Sequence, residues 1–268
     1  VTLSIKSKQQ LRDFYEQEAR RIDHQALMYS NSEKVELWWH RKRLTHVNSY
    51  LHQCLKKPEV TTFLDVGCAE GYYINLVSHI RSDMNCVGVD IALPYLKKVK
   101  LRNPNAEFIL CDAEFLPFKK RAFDLVLCSE VLEHLPNYPR ALKELLDVSN
   151  TFLTLSFPGH SFLYKIISTF PPLRKALDRI FAYNVGHISD VTISFVKSLV
   201  QAQKMWRKFD IRQSGALPIQ VYNLIPSIRL IDILDDIICN FLTRKGILGI
   251  TTIQVIKIST KEDRKQSG

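Results

Sequence analysis

The run Val60-Thr61-Thr62-Phe63-Leu64-Asp65-Val66 ends in Gly67, and Gly71 follows one helical turn later. A short, β-branched, apolar run that stops at glycine predicts a strand buried on both faces, the kind found inside parallel sheets. The chain then keeps time. Residues 72–80 read as a helix, 85–91 as a strand, and 93–101 as a helix stopping at Asn103-Pro104. Residues 107–111 and 123–128 are two more strands across a loop containing Pro117; a helix over 139–148 and a strand over 151–157 follow, ended by Pro158-Gly159. Strands alternating with helices at this pace leave few choices beyond a doubly wound, Rossmann-like α/β sheet.

The flanks depart from that rhythm. Residues 8–28 and 33–57 carry apolar side chains at helical spacing, with Asn31-Ser32 between them, and predict an N-terminal helical cap. After Gly159 comes an aromatic and basic insertion over 160–187, then a helix over 191–203 and a strand over 209–213. A second apolar stretch over 222–241 precedes a last strand at 250–258. The expected organisation is a cap over 1–57, one α/β domain of seven strands over 58–260 with insertions at about 160–187 and 222–245, and a polar tail over 261–268. At 46% hydrophobic residues there is ample core material, which excludes intrinsic disorder. No apolar run is long enough to span a bilayer, and the first residues lack a secretory apolar region, so a cytoplasmic protein is expected. The six cysteines form no C-x-x-C pair, against a zinc ribbon or disulfide framework.

The chemistry gathers where strands should end. Leu64-Asp65-Val66-Gly67-Cys68-Ala69-Glu70-Gly71-Tyr72 sets a glycine turn between a strand and a helix, where backbone can approach a ligand and helix N–H groups are free. Val87-Gly88-Val89-Asp90 then places a carboxylate at the end of the next strand, able to accept from both hydroxyls of a ribose. Leu110-Cys111-Asp112-Ala113-Glu114-Phe115-Leu116-Pro117 offers an acceptor for an exocyclic amine beside apolar walls, as an adenine requires. Ser129-Glu130-Val131-Leu132-Glu133-His134-Leu135-Pro136 closes the fourth strand with two carboxylates and an imidazole, at spacings that share one face of a helix.

These segments, in this order, resemble the class I S-adenosylmethionine-dependent methyltransferases, in particular the group acting on small molecules, quinones and lipids. The resemblance covers about residues 40–160. It implies S-adenosylmethionine as cofactor, with Gly67 and Gly71 along its methionine part, Asp65 ordering the loop, Asp90 on the ribose, and Asp112 with Ala113 on the adenine. Cys68, Ala69, Tyr72, Ile91, Glu114, Ser129 and Glu130 join the cofactor side, and Arg43 matches a position that pairs with the cofactor carboxylate. Ala69 stands where the family commonly has glycine. His134 and Glu133 are the catalytic candidates, together with His187, which follows the first insertion as base, orienter or hinge. The E-x-x-E-H pattern also looks like that of metal-dependent relatives, so Mg²⁺ on Glu130, Glu133 and His134 stands as a less favoured alternative to a metal-free His134 base.

The net charge of +10 raises the question of an anionic partner. The basic residues fall in short scattered groups, and no amine-methylating N-P-P-Y-like motif or Pro-Cys nucleophile is present, so nucleic acid is disfavoured. The apolar and cationic insertions point instead to a small-molecule or lipid-like acceptor, methylated on oxygen or carbon, with peripheral contact to an anionic membrane. An RNA methyltransferase and a non-catalytic cofactor-binding subunit are the rival readings.

Overall fold

The computed structural model describes residues 8–21, 34–159, 188–189, 191–203, 206–214, 224–225, 227–242 and 249–257. Five strands, β1 (Thr62–Val66), β2 (Asn85–Asp90), β3 (Glu107–Leu110), β4 (Phe123–Ser129) and β5 (Ser149–Gly159), run parallel, in the order β3-β2-β1-β4-β5. The sheet continues through β7 (Gly249–Lys257), antiparallel to β5, to β6 (Trp206–Ser214) at the edge. The doubly wound expectation therefore holds for the first five strands, while the chain reverses at the C-terminal end. Parallel pairing needs a crossover, whereas β6 and β7 return from opposite directions.

Side chains on the central strands sort by the two-residue period. Leu64, Val66, Val126, Cys128, Leu153 and Leu155 face one layer, with α5 (Tyr138–Val148) and α6 (Ile193–Ala202) contributing Ala141, Leu142, Leu145, Val196 and Val200. Phe63, Leu125, Leu127 and Phe152 face the other, where α2 (Lys34–Leu55) and α3 (Tyr72–Ile80) bring Val47, Leu51, Cys54, Ile74 and Val77. Burial on both faces explains why these strands read as near-continuous apolar runs. Asn137 caps α5 by accepting from the Arg140 N–H, with proline in the first turn; Thr192 caps α6 by accepting from Phe195.

Helix α1 (Lys8–Arg21) begins the predicted cap, and the remainder of the first expected helix lies outside the described residues. It does not pack on a flank of the sheet. Leu11 and Tyr15 sit with Val66, Val89 and Leu132, above the C-terminal ends of the strands, and Ala19 packs on Ala92 and Tyr95. Tyr95 belongs to α4 (Leu93–Arg102).

The insertion at 160–187 falls outside the described residues. Part of the second is helix α7 (Ile228–Leu242), whose inner side buries Ile231 and Asp235. Its Asp232 accepts from the Trp38 indole N–H at 2.8 Å, and Lys42 pairs with Asp232 and Asp236 at 3.0 and 3.1 Å. Leu230, Ile233, Leu234 and Ile237 are exposed along the same helix. Among the described residues no helix is long and apolar enough to cross a membrane. All six cysteines are free thiols.

Candidate active site

The glycine turn is held against its neighbour strand: Gly67 and Cys68 donate to the Val89 carbonyl at 2.8 and 3.0 Å, and Gly71 closes back on Cys68 at 2.8 Å. Gly67 has φ +76°, and a Cβ there would meet Val131 Cγ2 at 2.2 Å. Gly71, at φ +78°, would meet Val99 Cγ2 at 2.1 Å. Both positions thus need glycine twice over, for the left-handed backbone and for the room. Ala69 lies at φ +44° between them. Alanine in that region costs roughly 1–2 kcal/mol, so Ala69→Gly is expected to raise the fold's stability by about 1 kcal/mol. A denaturant midpoint that does not rise would contradict this account of the loop.

Asp90 ends β2 with its carboxylate buried and committed to backbone: Oδ2 accepts from Ala69 N–H at 2.9 Å and Oδ1 from Ala92 N–H at 2.8 Å. Burial pushes its pKa up, against those amides and that of Ile91, which pull it down. The two oxygens offer four lone pairs between them, so with three amides bound one remains for a ligand hydroxyl. Asp65, on β1, is also buried, and its Oδ2 has no hydrogen-bond partner among the described residues. Burial, with the Asp90 charge beside it, pushes the Asp65 pKa up to about 8. An unsatisfied buried carboxyl is costly and marks a place where a ligand donor fits.

Beyond β3, Asp112 Oδ1 accepts from the Glu114 N–H at 2.9 Å, and Glu114 Oε1 accepts from the Asn137 N–H at 2.9 Å. Ala113 is buried. A cavity of about 270 Å³ opens here, lined by Ile91, Leu110, Cys111 and Asp112 from the sheet edge and by Lys8, Gln9 and Arg12 from α1. Tyr72, in the first turn of α3, accepts from Asn48 at its hydroxyl.

After β4 the geometry departs from expectation. Only Leu132–His134 forms a single 3-10 turn, and Glu130 precedes it at φ +57°. The helix required to put Glu130, Glu133 and His134 on one face is absent, because Pro136 follows immediately and Glu130 turns the chain the other way. Glu130 Oε1 accepts from the Ser156 hydroxyl at 2.7 Å, and Oε2 lies 3.6 Å from Arg43 Nη1. Arg43 thus stands beside Glu130 at the end of β4. Ser129, the last residue of β4, is half-buried opposite Ser156.

Glu133 is 1% exposed, and neither carboxyl oxygen has a hydrogen-bond partner among the described residues. His134 Nε2 stands 3.7 Å from its Oε1, and the Tyr15 ring meets the His134 ring edge-on at 5.7 Å. Burial, reinforced by the Glu130 charge, holds the Glu133 pKa well above the carboxylate range despite Arg43. Glu133 and His134 therefore come together, while Glu130 is turned to Ser156 and Arg43. Among the described residues no group of three or more His, Cys, Asp and Glu side chains could hold a metal ion. His187 lies outside the described residues; its neighbours Ile188 and Ser189 donate their N–H groups to the Glu133 carbonyl at 2.8 and 3.0 Å.

Sequence reasoning missed Lys8 and Tyr15, because nothing local says that the first helix lies over the strand ends. The cleft they cover gathers Asp65, Asp90, Asp112, Glu114, Glu130 and Glu133 at the C-terminal edge of the strands, in a chain that carries +10 overall. Left-handed glycines, unsatisfied buried carboxyl oxygens and a cavity beside Asp112 fit a cofactor bearing an ammonium, a sulfonium, ribose hydroxyls and an adenine.

Residues 64–150 match the family model of the methyltransferase domain. The mitochondrial arginine-hydroxylase NDUFAF5 of Mus musculus is 36% identical over 110 residues, covering 38% of this chain and 30% of that protein. The phthiotriol/phenolphthiotriol dimycocerosates methyltransferase of Mycobacterium leprae is 29% identical over 107 residues, covering 38% and 39%. The chain spans about a third of the length of the first curated relatives it matches. Among solved structures, the magnesium protoporphyrin IX methyltransferase of Synechocystis, crystallised with S-adenosylhomocysteine, superposes with a TM-score of 0.60 over 92% of this chain and 98% of that one, at 13% identity. Residues 64–150 are thus similar to a methyltransferase domain, and the glycine loop, Asp90 and Asp112 lie on a five-stranded parallel sheet with the fold of S-adenosylmethionine-dependent methyltransferases.

Proposed function

We propose that this protein transfers a methyl group from S-adenosylmethionine to an oxygen or carbon of a small-molecule or lipid-like acceptor. One observation carries the reading: buried Glu133, with half-buried His134 beside it, lies at the end of β4, next in the sheet to the strand that ends in the glycine loop. When bound, the cofactor supplies an electrophilic methyl on a sulfonium. The chain's part is to bind, align and deprotonate. Asp90 receives a ribose hydroxyl, Asp112 the adenine amine, and Asp65 the ammonium. His134 Nε2 takes the acceptor proton, and Tyr15 holds the imidazole from above. General-base help of this kind is worth about 10²- to 10⁴-fold, on top of what alignment supplies.

The cleft's carboxylates also bear on the acceptor. The cations beside the cleft are already paired, Lys8 with Asp112 and Glu114 and Arg43 with Glu130, which leaves little to hold a phosphate backbone at the reaction centre. The exposed apolar residues of α7, Leu230, Ile233, Leu234 and Ile237, support a greasy acceptor and peripheral contact with a membrane surface. The lipid methyltransferase among the relatives favours the same class.

Calorimetry with S-adenosylhomocysteine tests the cofactor half. Binding is expected, and Asp90→Ala should weaken it by about 1.5–3 kcal/mol, the range for hydrogen bonds to a charged group. Radiolabelled S-adenosylmethionine in cell extracts tests the acceptor half. Label in the organic-soluble or small-molecule fraction supports the proposal, and protein-dependent label in RNA overturns it. Tight cofactor binding with no label in any fraction would point to a non-catalytic subunit.

A further inference from the structure

Helix α1 places its own cation on the carboxylate that the cofactor's adenine needs. Lys8 Nζ lies 2.6 Å from Asp112 Oδ2 and 2.6 Å from Glu114 Oε2, and 4.6 Å from the centre of the Phe115 ring. Arg140 stacks on that ring as well, at 3.7 Å. Asp112 lines the cavity at the end of β3, and Lys8, Gln9 and Arg12 form its outer wall. Two further residues of the helix anchor it on the site: Tyr15 on His134, and Ala19 on Ala92 and Tyr95. The space left beneath is about 270 Å³. Its lining takes in the sheet edge expected to meet the adenine, at Ile91, Leu110, Cys111 and Asp112.

We infer that α1 is a latched cover on the cofactor cleft, and that Lys8 is its latch, a gatekeeping residue that competes with the adenine amine for Asp112. This rests on the cofactor reading proposed above. Both donors approach the same carboxylate: Asp112 Oδ1 accepts from the Glu114 N–H, and Lys8 Nζ lies 2.6 Å from Oδ2, in the cavity wall. An adenine amine placed on Oδ2 meets the Lys8 ammonium there, so the two compete for that oxygen. The apparent affinity is then the intrinsic one reduced by the fraction of molecules with the latch open. The latch is partly exposed, with Lys8 at 39%. Its worth is therefore modest, about 0.2–1 kcal/mol for a pair of this exposure.

The test is S-adenosylhomocysteine titrated calorimetrically into the full chain, its Lys8→Met variant and its Lys8→Arg variant. Removing the competitor should tighten binding by roughly 1.4- to fivefold, the fold-change equivalent of that pair energy. The arginine variant, which keeps the pairing, should stay near the parent. Added salt, which screens the latch, should narrow the gap between parent and Lys8→Met. Unchanged or weaker binding in Lys8→Met overturns the inference; weaker binding would make Lys8 part of the bound state. A separate readout isolates the latch from the cofactor reading. Without ligand, amide hydrogen exchange over residues 8–21 should quicken in Lys8→Met. Should no chain bind the ligand, the cofactor reading fails while exchange still decides whether Lys8 holds the helix down.

Discussion

Replacing His134 with alanine is expected to cut methyl transfer by roughly 10²- to 10⁴-fold, the usual worth of a positioned general base, while affinity for S-adenosylhomocysteine stays within a factor of about two. The split follows from where the residue sits. His134 follows β4 in the single 3-10 turn, with the Tyr15 ring on its edge and Glu133 at 3.7 Å, whereas the side chains proposed for the cofactor lie at the ends of β1, β2 and β3. Turnover with the acceptor found by labelling, set beside calorimetry on the same protein, makes the comparison. An equal loss of binding and turnover would recast His134 as a packing residue of the turn. Full activity in the variant would end the base assignment. Chelator should leave the parent's turnover unchanged; loss on chelation with recovery on added Mg²⁺ would instead favour the metal alternative, against the way Glu130 is turned to Ser156 and Arg43.

The elements that could be read from the sequence are those whose signals are local. The strand ending at Gly67, the carboxylates Asp90 and Asp112, and the helices between them follow from apolar period, glycine and chain order, and the structure places them at one sheet edge. Three features were not legible, and each depends on contacts distant in sequence. The seat of α1 is fixed by Lys8 on Asp112, 104 residues away, and no periodicity announces such a pairing. Spacing alone made Glu130, Glu133 and His134 look like one helical face. Yet Glu130 takes φ +57° and bonds to Ser156, on the neighbouring strand. Residues 250–258 read as a strand, and β7 runs antiparallel to β5, because direction in a sheet comes from connection, not from composition.

Asp65 should make the protein less stable as pH rises, and Asp65→Asn should remove that slope. The buried carboxyl titrates near 8 in the folded chain against 3.8 for an unperturbed aspartate. Between those values the folded state keeps a proton that the unfolded state has released. Folding stability is fullest below the unfolded pKa, then falls by up to about 1.4 kcal/mol per pH unit until the folded pKa is reached. Urea midpoints for parent and variant, measured at several pH values across that window, give the answer: a falling parent and a flatter variant. Parallel curves would show that Asp65 is not the group responsible. The same substitution should weaken S-adenosylhomocysteine binding, because an amide cannot answer an ammonium with a charge. Binding should also drive a proton off the parent at neutral pH, seen as an enthalpy that changes with the buffer's own heat of ionisation, and that release should shrink in Asp65→Asn. A carboxyl buried without a hydrogen-bond partner for its Oδ2 is thus a stability cost in the free protein that a cationic ligand offsets. On that account the stabilised variant is also the poorer binder.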